Sequence, residues 1–213
     1  MKKKNNKYNN TSSTYWKKLD GINGFSVPNE TLFRLIGNMK FKYKNKKVLD
    51  IGMGQGSNLL EFKRRGSRIF GMDIRKKKIF NFCKKHNLPR KNFYVCDLNS
   101  HFPKMNSKYD LIVCKATFYY FNKNRHLSFF KFCRQLLKKK GYFIFQFIQA
   151  ELRETRRKDF FDYSLSNHLK KEKNYHERNN PVSFFKSNYV KKIIKETNFK
   201  LHNNLFDISF HSK

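Results

Sequence analysis

Short apolar runs alternate with amphipathic segments along most of the chain. The apolar runs predict buried strands, and apolar residues spaced three and four positions apart predict helices between them. This alternation predicts a parallel sheet with right-handed crossovers and helices on both faces. The predicted strands are 47–52, 68–73, 92–96, 109–114 and 142–148, and the predicted helices are 58–65, 76–86, 125–138 and 188–196.

The C-terminal part carries two further signals. Gly141 follows the long helical pattern 125–138 and is predicted to end that helix. Apolar residues in 199–202 and 205–210, separated by Asn203-Asn204, predict a hairpin that adds an antiparallel strand to the sheet.

A glycine-rich turn follows the first predicted strand. Gly52, Gly54 and Gly56 stand at alternate positions, and a helical pattern begins directly after them. Glycines allow a sharp turn close to a ligand, and the start of a helix offers free N–H groups. The sequence therefore predicts a site for a nucleotide-like ligand at this turn. The GxGxG spacing differs from the GxGxxG of nicotinamide-binding domains and speaks against a nicotinamide oxidoreductase.

An acidic residue ends the second predicted strand. Asp73 lies about twenty positions after the glycine turn, the offset at which an acid binds the hydroxyls of a ribose. A carboxylate accepts both hydrogen bonds. The alternative is a surface acid that caps the next helix.

These elements together resemble a class I S-adenosylmethionine-dependent methyltransferase. The resemblance covers roughly residues 45–148 in the family's order, and is greatest to the branch that acts on metabolites or sugars. It implies a Rossmann-like, doubly wound, mostly parallel sheet of six or seven strands with a C-terminal antiparallel edge strand. It rests on the segments LDIGMGQG (49–56), GMD (71–73), YVCDL (94–98), YDLIVC (109–114) and LLKKKGYFI (136–144).

The resemblance also implies the cofactor, S-adenosyl-L-methionine, and the residues around it. Asp97 would accept from the adenine amino group, and Leu98 would offer its backbone N–H. Asp50 would contact the methionine amino group directly or through water, or else serve as a structural acid. The complete set predicted for the cofactor is Asp50, Gly52, Gly54, Gly56, Asp73, Ile74, Asp97, Leu98 and Lys115.

Residues for the acceptor and for catalysis are less clearly marked by the sequence. Thr117 and Phe118 follow the fourth strand and face the reaction centre by position, as do the aromatic residues beside them. Basic residues in 149–186 suit a solvated basic helix in an already basic protein, and the alternative is that they bind an anionic acceptor. The candidates are Trp16, Tyr119, Tyr120, Arg153 and His176 for acceptor binding, and His126, Glu151 and His176 for a general base.

Composition adds limits rather than a function. The formal net charge of +33 suits nucleic acid or anionic membranes as partners. It also fits a lysine- and asparagine-rich composition with lysines at exposed positions. Neither Pro-Pro-aromatic nor Pro-Cys motifs of nucleic-acid methyltransferases follow the fourth strand. Scattered Cys83, Cys96, Cys114 and Cys133 predict buried free thiols in a reducing cytoplasm and no metal site.

The predicted organisation is a disordered basic tail, 1–13, and one methyltransferase domain, 14–213. Within the domain we predict an N-terminal lid or helix (14–44), the cofactor-binding core (45–148), a substrate-side insertion (149–186), and a last helix with edge strands (187–213). No apolar run approaches the ~20 residues of a membrane span. The predicted acceptor is a small molecule. The alternatives are an rRNA or tRNA methyltransferase and a noncatalytic relative that binds the cofactor.

Overall fold

A five-stranded parallel sheet forms the centre of the molecule. The structure is a computed structural model that describes residues 13, 16–17, 27–149 and 183–202. The strand order is β3-β2-β1-β4-β5, with every neighbouring pair parallel. The strands are β1 (Lys47–Ile51), β2 (Arg68–Asp73), β3 (Phe93–Val95), β4 (Tyr109–Cys114) and β5 (Leu137–Phe145).

Within the described residues, five α-helices accompany the sheet, and a short pair of strands lies outside it. The helices are α1 (Glu30–Asn38), α2 (Ser57–Arg64), α3 (Lys76–Lys85), α4 (His126–Leu136) and α5 (Ser187–Glu196). Two-residue strands β6 (Ile148–Gln149) and β7 (Phe184–Phe185) pair in parallel with each other. The α/β Rossmann-like class predicted from the sequence is confirmed, with five parallel strands in the described sheet.

Alternating side chains on each strand divide the core into two layers. Val48 packs with Leu59 and Phe62 of α2, whereas its neighbour Leu49 packs on the opposite face with residues of α4 and α5. Successive side chains of a strand point to opposite faces, so a strand covered on both faces is apolar throughout. Helices therefore lie on both faces of the sheet, as predicted.

The boundary between α4 and β5 corrects the prediction for Gly141. The helix ends at Leu136, and Gly141 lies inside β5 rather than after a helix. A Cβ atom at this glycine would stand 2.9 Å from the Tyr109 carbonyl oxygen. The register between β4 and β5 shifts between Tyr109 and Leu111, so the glycine allows close contact at an irregular strand pair.

The predicted C-terminal hairpin is only partly within the described residues. Residues 199–202 have no regular secondary structure, so the prediction of a first hairpin strand at these residues is wrong. Phe199 packs instead against Phe143, with ring centroids 5.6 Å apart. The second strand, 205–210, lies outside the described residues, as do nearly all of the predicted insertion and all of the predicted basic tail except Ser13, which is buried.

Candidate active site

The glycine turn after β1 has the backbone shape that its sequence predicts. Gly52, Gly54 and Gly56 have φ angles of +74°, +57° and +76°, a region that residues with a side chain rarely adopt. A Cβ atom on Gly52 would stand 1.9 Å from Thr117 Oγ1, and one on Gly56 would stand 2.3 Å from the Phe82 ring. The turn joins β1 to α2, and neither position has room for a side chain.

Asp73 ends β2 beside this turn and is only 6% exposed. Its Oδ2 accepts from the Gly54 N–H at 2.9 Å, and its Oδ1 accepts from the Arg75 N–H at 2.9 Å. The Arg75 Nε donates to the same Oδ1 at 3.1 Å and completes a largely buried ion pair. The carboxylate is therefore fixed in position at the carboxyl end of its strand.

Asp97 follows β3 and occupies the neighbouring position. Its Oδ1 accepts from the Asn99 N–H at 3.1 Å and from the Ser13 hydroxyl at 3.0 Å. The Lys17 ammonium donates to Oδ2 at 3.2 Å. Two acids at the ends of adjacent strands thus face one space.

Asp50 is the third acid of this region and is 2% exposed inside β1. Burial and the nearby charge of Asp73 raise the pKa of its carboxyl to about 7, although a hydrogen bond from Asn58 opposes the rise. A carboxyl with this pKa takes up or releases a proton near neutral pH. It therefore changes charge in response to a cation placed nearby.

A cavity of about 120 Å³ lies between these acids and the turn after β4. Among the residues predicted for the cofactor, Gly52, Asp73, Ile74, Asp97 and Leu98 line it. The others, Asp50, Gly54, Gly56 and Lys115, lie outside its lining. The sheet order reverses between β1 and β4, and such a switch point is where open α/β sheets bind ligands.

Lys115 lies just after β4 but is directed away from this cavity. Its ammonium donates to the Gln146 side-chain oxygen at 3.0 Å, and burial lowers its pKa. Between it and Thr117, Ala116 has φ +52°, which is uncommon for a residue with a side chain. This bend brings Ala116 and Thr117 to the cavity wall.

The aromatic candidates for acceptor binding divide in the same way. Trp16 and Tyr120 line the cavity and meet edge to face, with centroids 5.2 Å apart. Tyr119 does not line it, but packs on Tyr120 at 4.5 Å. Trp16 also lies under the Arg75 guanidinium at 5.4 Å. The remaining candidates, Glu151, Arg153 and His176, lie outside the described residues.

His126 is a core residue, which corrects its proposed role as a general base. It is 0% exposed and stands apart from the cavity lining. Its Nε2 lies 3.0 Å from the Phe121 carbonyl oxygen, which can only accept, so this nitrogen carries the proton. Burial lowers the pKa of the imidazole to about 4. Enclosed by aromatic rings, it has no path to an acceptor in this conformation.

Several cavity residues were not singled out from the sequence. Arg75 fixes Asp73, and Asn99 joins the two sides of the cavity by donating to the Tyr120 carbonyl at 3.2 Å. The Asn99 Oδ1 in turn accepts from the Asn122 N–H at 2.8 Å. The sequence does contain a signal for Arg75 and Asn99, because each stands two residues after an acid that is predicted to bind the cofactor. Ser13 gave no such signal, because its contact with Asp97 spans most of the core sequence.

The described residues contain neither a metal-binding cluster nor a helix that could cross a membrane. Nowhere in 27–149 and 183–202, nor at the three N-terminal positions, do three His, Cys, Asp or Glu side chains gather to hold a metal ion. All four cysteines are buried free thiols. Among the helices of the described part, none has the length and apolar character that a membrane crossing requires.

Comparison with known proteins gives one family and many similar folds. The family model described as a methyltransferase domain matches residues 29–204. No curated protein matches the chain. The solved structure of magnesium protoporphyrin IX methyltransferase from Synechocystis PCC 6803 with bound SAH is similar, with TM-score 0.61 and 16% identity, over 96% of this chain and 91% of that one. The same enzyme with bound SAM gives TM-score 0.57 and 16% identity, over 92% and 84%. A methyltransferase from Clostridium acetobutylicum ATCC 824 gives TM-score 0.51 and 19% identity, over 77% and 62%.

Proposed function

The chain belongs to the methyltransferase-domain family, and from that premise we propose that it moves the methyl group of S-adenosylmethionine to a small-molecule acceptor. Family membership rests on a match over most of the chain and makes it a class I, S-adenosylmethionine-dependent methyltransferase. The acceptor class and the roles of individual residues are our proposal. The observation that carries it is the convergence of Asp73 and Asp97 on one small cavity beside the glycine turn.

The two acids suit the adenosine part of the cofactor. Asp73 would accept from the ribose hydroxyls, because a carboxylate at the end of β2 offers two acceptor oxygens. Asp97 would accept from the adenine amino group, with the Leu98 N–H as its neighbour. Both carboxylates already lie at the cavity wall, so these roles require no rearrangement of the sheet.

The glycine turn suits the methionine part. With positive φ angles and no side chains, Gly52 and Gly54 allow the cofactor to approach the backbone closely. Asp50 lies behind the turn with a raised pKa. A cofactor ammonium group nearby would favour its ionised form. Lys115, outside the cavity lining, would contribute at the rim if the cofactor extends past β4.

The chain's own contribution to the reaction is placement and exclusion of water. The cofactor, when bound, supplies an electrophilic methyl group on a sulfonium. Thr117, Tyr120 and Phe121 line the cavity, where they would orient the acceptor. The ring faces of Tyr120 and Phe121 would attract a cation. Positioning alone provides a large share of such rate enhancements. No general base is assigned among the described residues, because His126 is enclosed in the core.

One feature of the sequence supports a small acceptor over a nucleic acid. The segment after β4, Lys115-Ala116-Thr117-Phe118, lacks the Pro-Pro-aromatic sequence of amino-methylating nucleic-acid enzymes. Buried free thiols also support a reducing compartment such as the cytoplasm.

The test is transfer of a labelled methyl group from the cofactor. The purified full chain would be incubated with labelled S-adenosylmethionine and, separately, with a small-molecule extract and with total RNA. We expect label in the small-molecule fraction, and none there with Asp73→Ala. Label in RNA alone would overturn the proposed acceptor class. If the chain bound the cofactor but neither fraction became labelled, the result would favour the hypothesis of a noncatalytic, cofactor-binding relative.

A further inference from the structure

Helix α3 and the turn after it carry basic charges and no acidic ones. The sequence from Ile74 to Cys96 contains no Asp or Glu. Its charged side chains are all basic: Arg75, Lys76, Lys77, Lys78, Lys84, Lys85, Arg90 and Lys91. This stretch follows β2 and leads into β3 at the edge of the sheet.

Helices α1, α2 and α5 each contain an acid that pairs with a neighbouring base, whereas α3 and α4 contain none. Glu30 pairs with Arg34 in α1 at 3.8 Å, and Glu196 pairs with Lys192 in α5 at 3.8 Å. In α2, Glu61 lies 2.7 Å from Arg64 and 2.6 Å from Arg65. Because α3 contains no acid, it has no such pair within the helix and projects a positive potential.

An exposed aromatic ring stands in the middle of these cations. Phe80 is 58% exposed, although the neighbouring α3 residues Ile79 and Phe82 are buried. It helps to line an open groove of about 460 Å³ together with Lys17, Ile74, Arg75, Lys76 and Lys77. Ile74 and Arg75 also line the cofactor cavity, so the groove adjoins the adenosine end of the site.

The helical spacing places ring and cations on one face. Lys77, Phe80 and Lys84 are separated by three and four positions and therefore share a face of α3. This face extends about 10 Å from Lys77 to Lys84 at the rise of an α-helix. Lysines that flank an exposed ring provide contacts for backbone phosphates and a platform on which one base can stack.

We propose that this α3 face, formed by Lys76, Lys77, Phe80 and Lys84, binds single-stranded RNA. The lysines contact phosphates and the Phe80 ring stacks on a base. An anionic membrane would use the lysines but needs a wider apolar surface than one ring. An acidic protein would use the same charges without requiring an exposed ring at their centre. The proposal goes beyond methyl transfer to a small molecule and does not depend on it.

The experiment must separate this surface from the general attraction of a +33 chain for polyanions. The full chain would be titrated into a fluorescent ten-residue oligouridine, with anisotropy read at several salt concentrations. Phe80→Ala is compared with Leu201→Ala, which removes an apolar side chain of nearly equal exposure, 57%. A double variant of the α3 face, Lys76→Met and Lys77→Met, is compared with a double variant of α5, Lys191→Met and Lys195→Met. The second removes the same charge from exposed positions of another helix.

We expect Phe80→Ala to weaken binding about 5- to 50-fold with an unchanged salt slope, since stacking is independent of counterion release. The α3 lysine pair should reduce the slope by roughly 1.4, at about 0.7 for each phosphate contact. Both control variants should stay within about twofold of the wild type. Thermal unfolding of each variant verifies that it is folded.

Equal effects in the matched pairs would overturn the proposal, because they would mean attraction by net charge alone. So would a Phe80→Ala variant that binds oligouridine as tightly as the wild type. Anionic vesicles that outcompete oligouridine at equal charge would identify a membrane surface instead. Cofactor titration of the same variants is a separate readout, so failure here leaves the proposed methyl transfer untouched.

Discussion

The two halves of the sheet use different chemistry. Strands β1, β2 and β3 form the polar half, with Asp50 inside β1, Asp73 at the end of β2 and Asp97 just after β3. Strands β4 and β5, with α4 and α5, form the aromatic half. There the Phe118 ring stacks on Phe129 at 5.8 Å and on Phe185 at 4.9 Å. The polar half places groups that can bind a cofactor, whereas the aromatic half supplies apolar burial.

The two halves also differ in how far apart their interacting residues lie in sequence. In the polar half, Gly54 and Asp73 are only 19 positions apart, and their contact is formed by the turn after β1 and the end of the following strand. In the aromatic half, Phe118 packs against Phe185, which lies near the end of the predicted insertion. We therefore expect most contacts with the cofactor to come from the polar half, and substitutions in the aromatic half to affect chiefly stability.

The largest expected effect is on the stability of the aromatic half. Phe130 is 1% exposed and contacts the rings of Phe143 and Phe145. Phe130→Ala should lower the free energy of unfolding by about 4 kcal/mol, because it removes a buried ring and leaves a cavity. Urea unfolding would measure the change. Cofactor affinity of the folded fraction should stay unchanged.

The control for this prediction is another phenylalanine of the chain. Phe80→Ala removes an exposed ring, so its effect on unfolding should remain within about 0.5 kcal/mol. A comparable loss in both variants would contradict the assignment of stability to the aromatic half.

Opposite pH dependences should distinguish the two halves. The pKa of His126 falls from 6.5 to about 4 on folding, so stability is lost as pH falls through this window. The pKa of Asp50 rises from 3.8 to about 7, so stability is lost as pH rises through that window. Each effect should be on the order of 3 to 4 kcal/mol, at about 1.4 kcal/mol for each unit of pKa shift.

Single variants would isolate these two titrations. Relative to the wild type, His126→Phe should become more stable as pH is lowered from 7 to 4. Asp50→Asn should gain relative stability as pH is raised over the same range. Unfolding free energies of the three proteins at four pH values would suffice. If the unfolding free energies of a variant and the wild type changed with pH in parallel, the pKa shift assigned to the substituted residue would be refuted.

A smaller effect is expected at the second acid of the polar half. Asp97→Asn keeps the size of the side chain but removes its charge. It should weaken the binding of S-adenosylhomocysteine about tenfold, which equals about 1.4 kcal/mol of binding free energy. Isothermal calorimetry gives the affinity. Asp110→Asn is the matched control, since Asp110 is buried and paired with Lys46 and Lys138 rather than placed at the cavity. Equal losses in both variants would argue against a direct role for Asp97.

The smallest effect concerns Trp16, the only tryptophan in the chain. The cavity of about 120 Å³ is smaller than the roughly 300 Å³ at which pockets for small ligands begin. We therefore expect the Trp16 ring to shift when the cofactor enters. Its fluorescence emission maximum should move by several nanometres, or its emission intensity should change by tens of per cent. An unchanged spectrum at saturating cofactor would mean that the ring stays where it is.

The sequence predicted the polar half better than the aromatic half, for a physical reason. Backbone requirements of a strand, a glycine turn and a helix leave local signals, so the sequence predicts where Gly52 and Asp73 lie. Side-chain packing leaves no such signal: the sequence offers His126 as a candidate base, yet rings from separate elements enclose it. The place of Gly141 after a helical pattern predicts a helix end, but its constraint in the structure is the nearby Tyr109 carbonyl on another strand, which the sequence does not reveal.

The most direct test is a calorimetric titration of the full chain with S-adenosylhomocysteine at high salt. Salt suppresses adventitious attraction between exposed charges. Asp73→Ala should weaken binding at least a hundredfold, since a charged acceptor of two hydrogen bonds is lost. Asp110→Ala, a buried acid elsewhere on the sheet, should not. Micromolar binding that is lost only in Asp73→Ala is the predicted result. No binding by the folded wild type, or equal affinity in Asp73→Ala, would contradict the assignment of the polar half as the cofactor site.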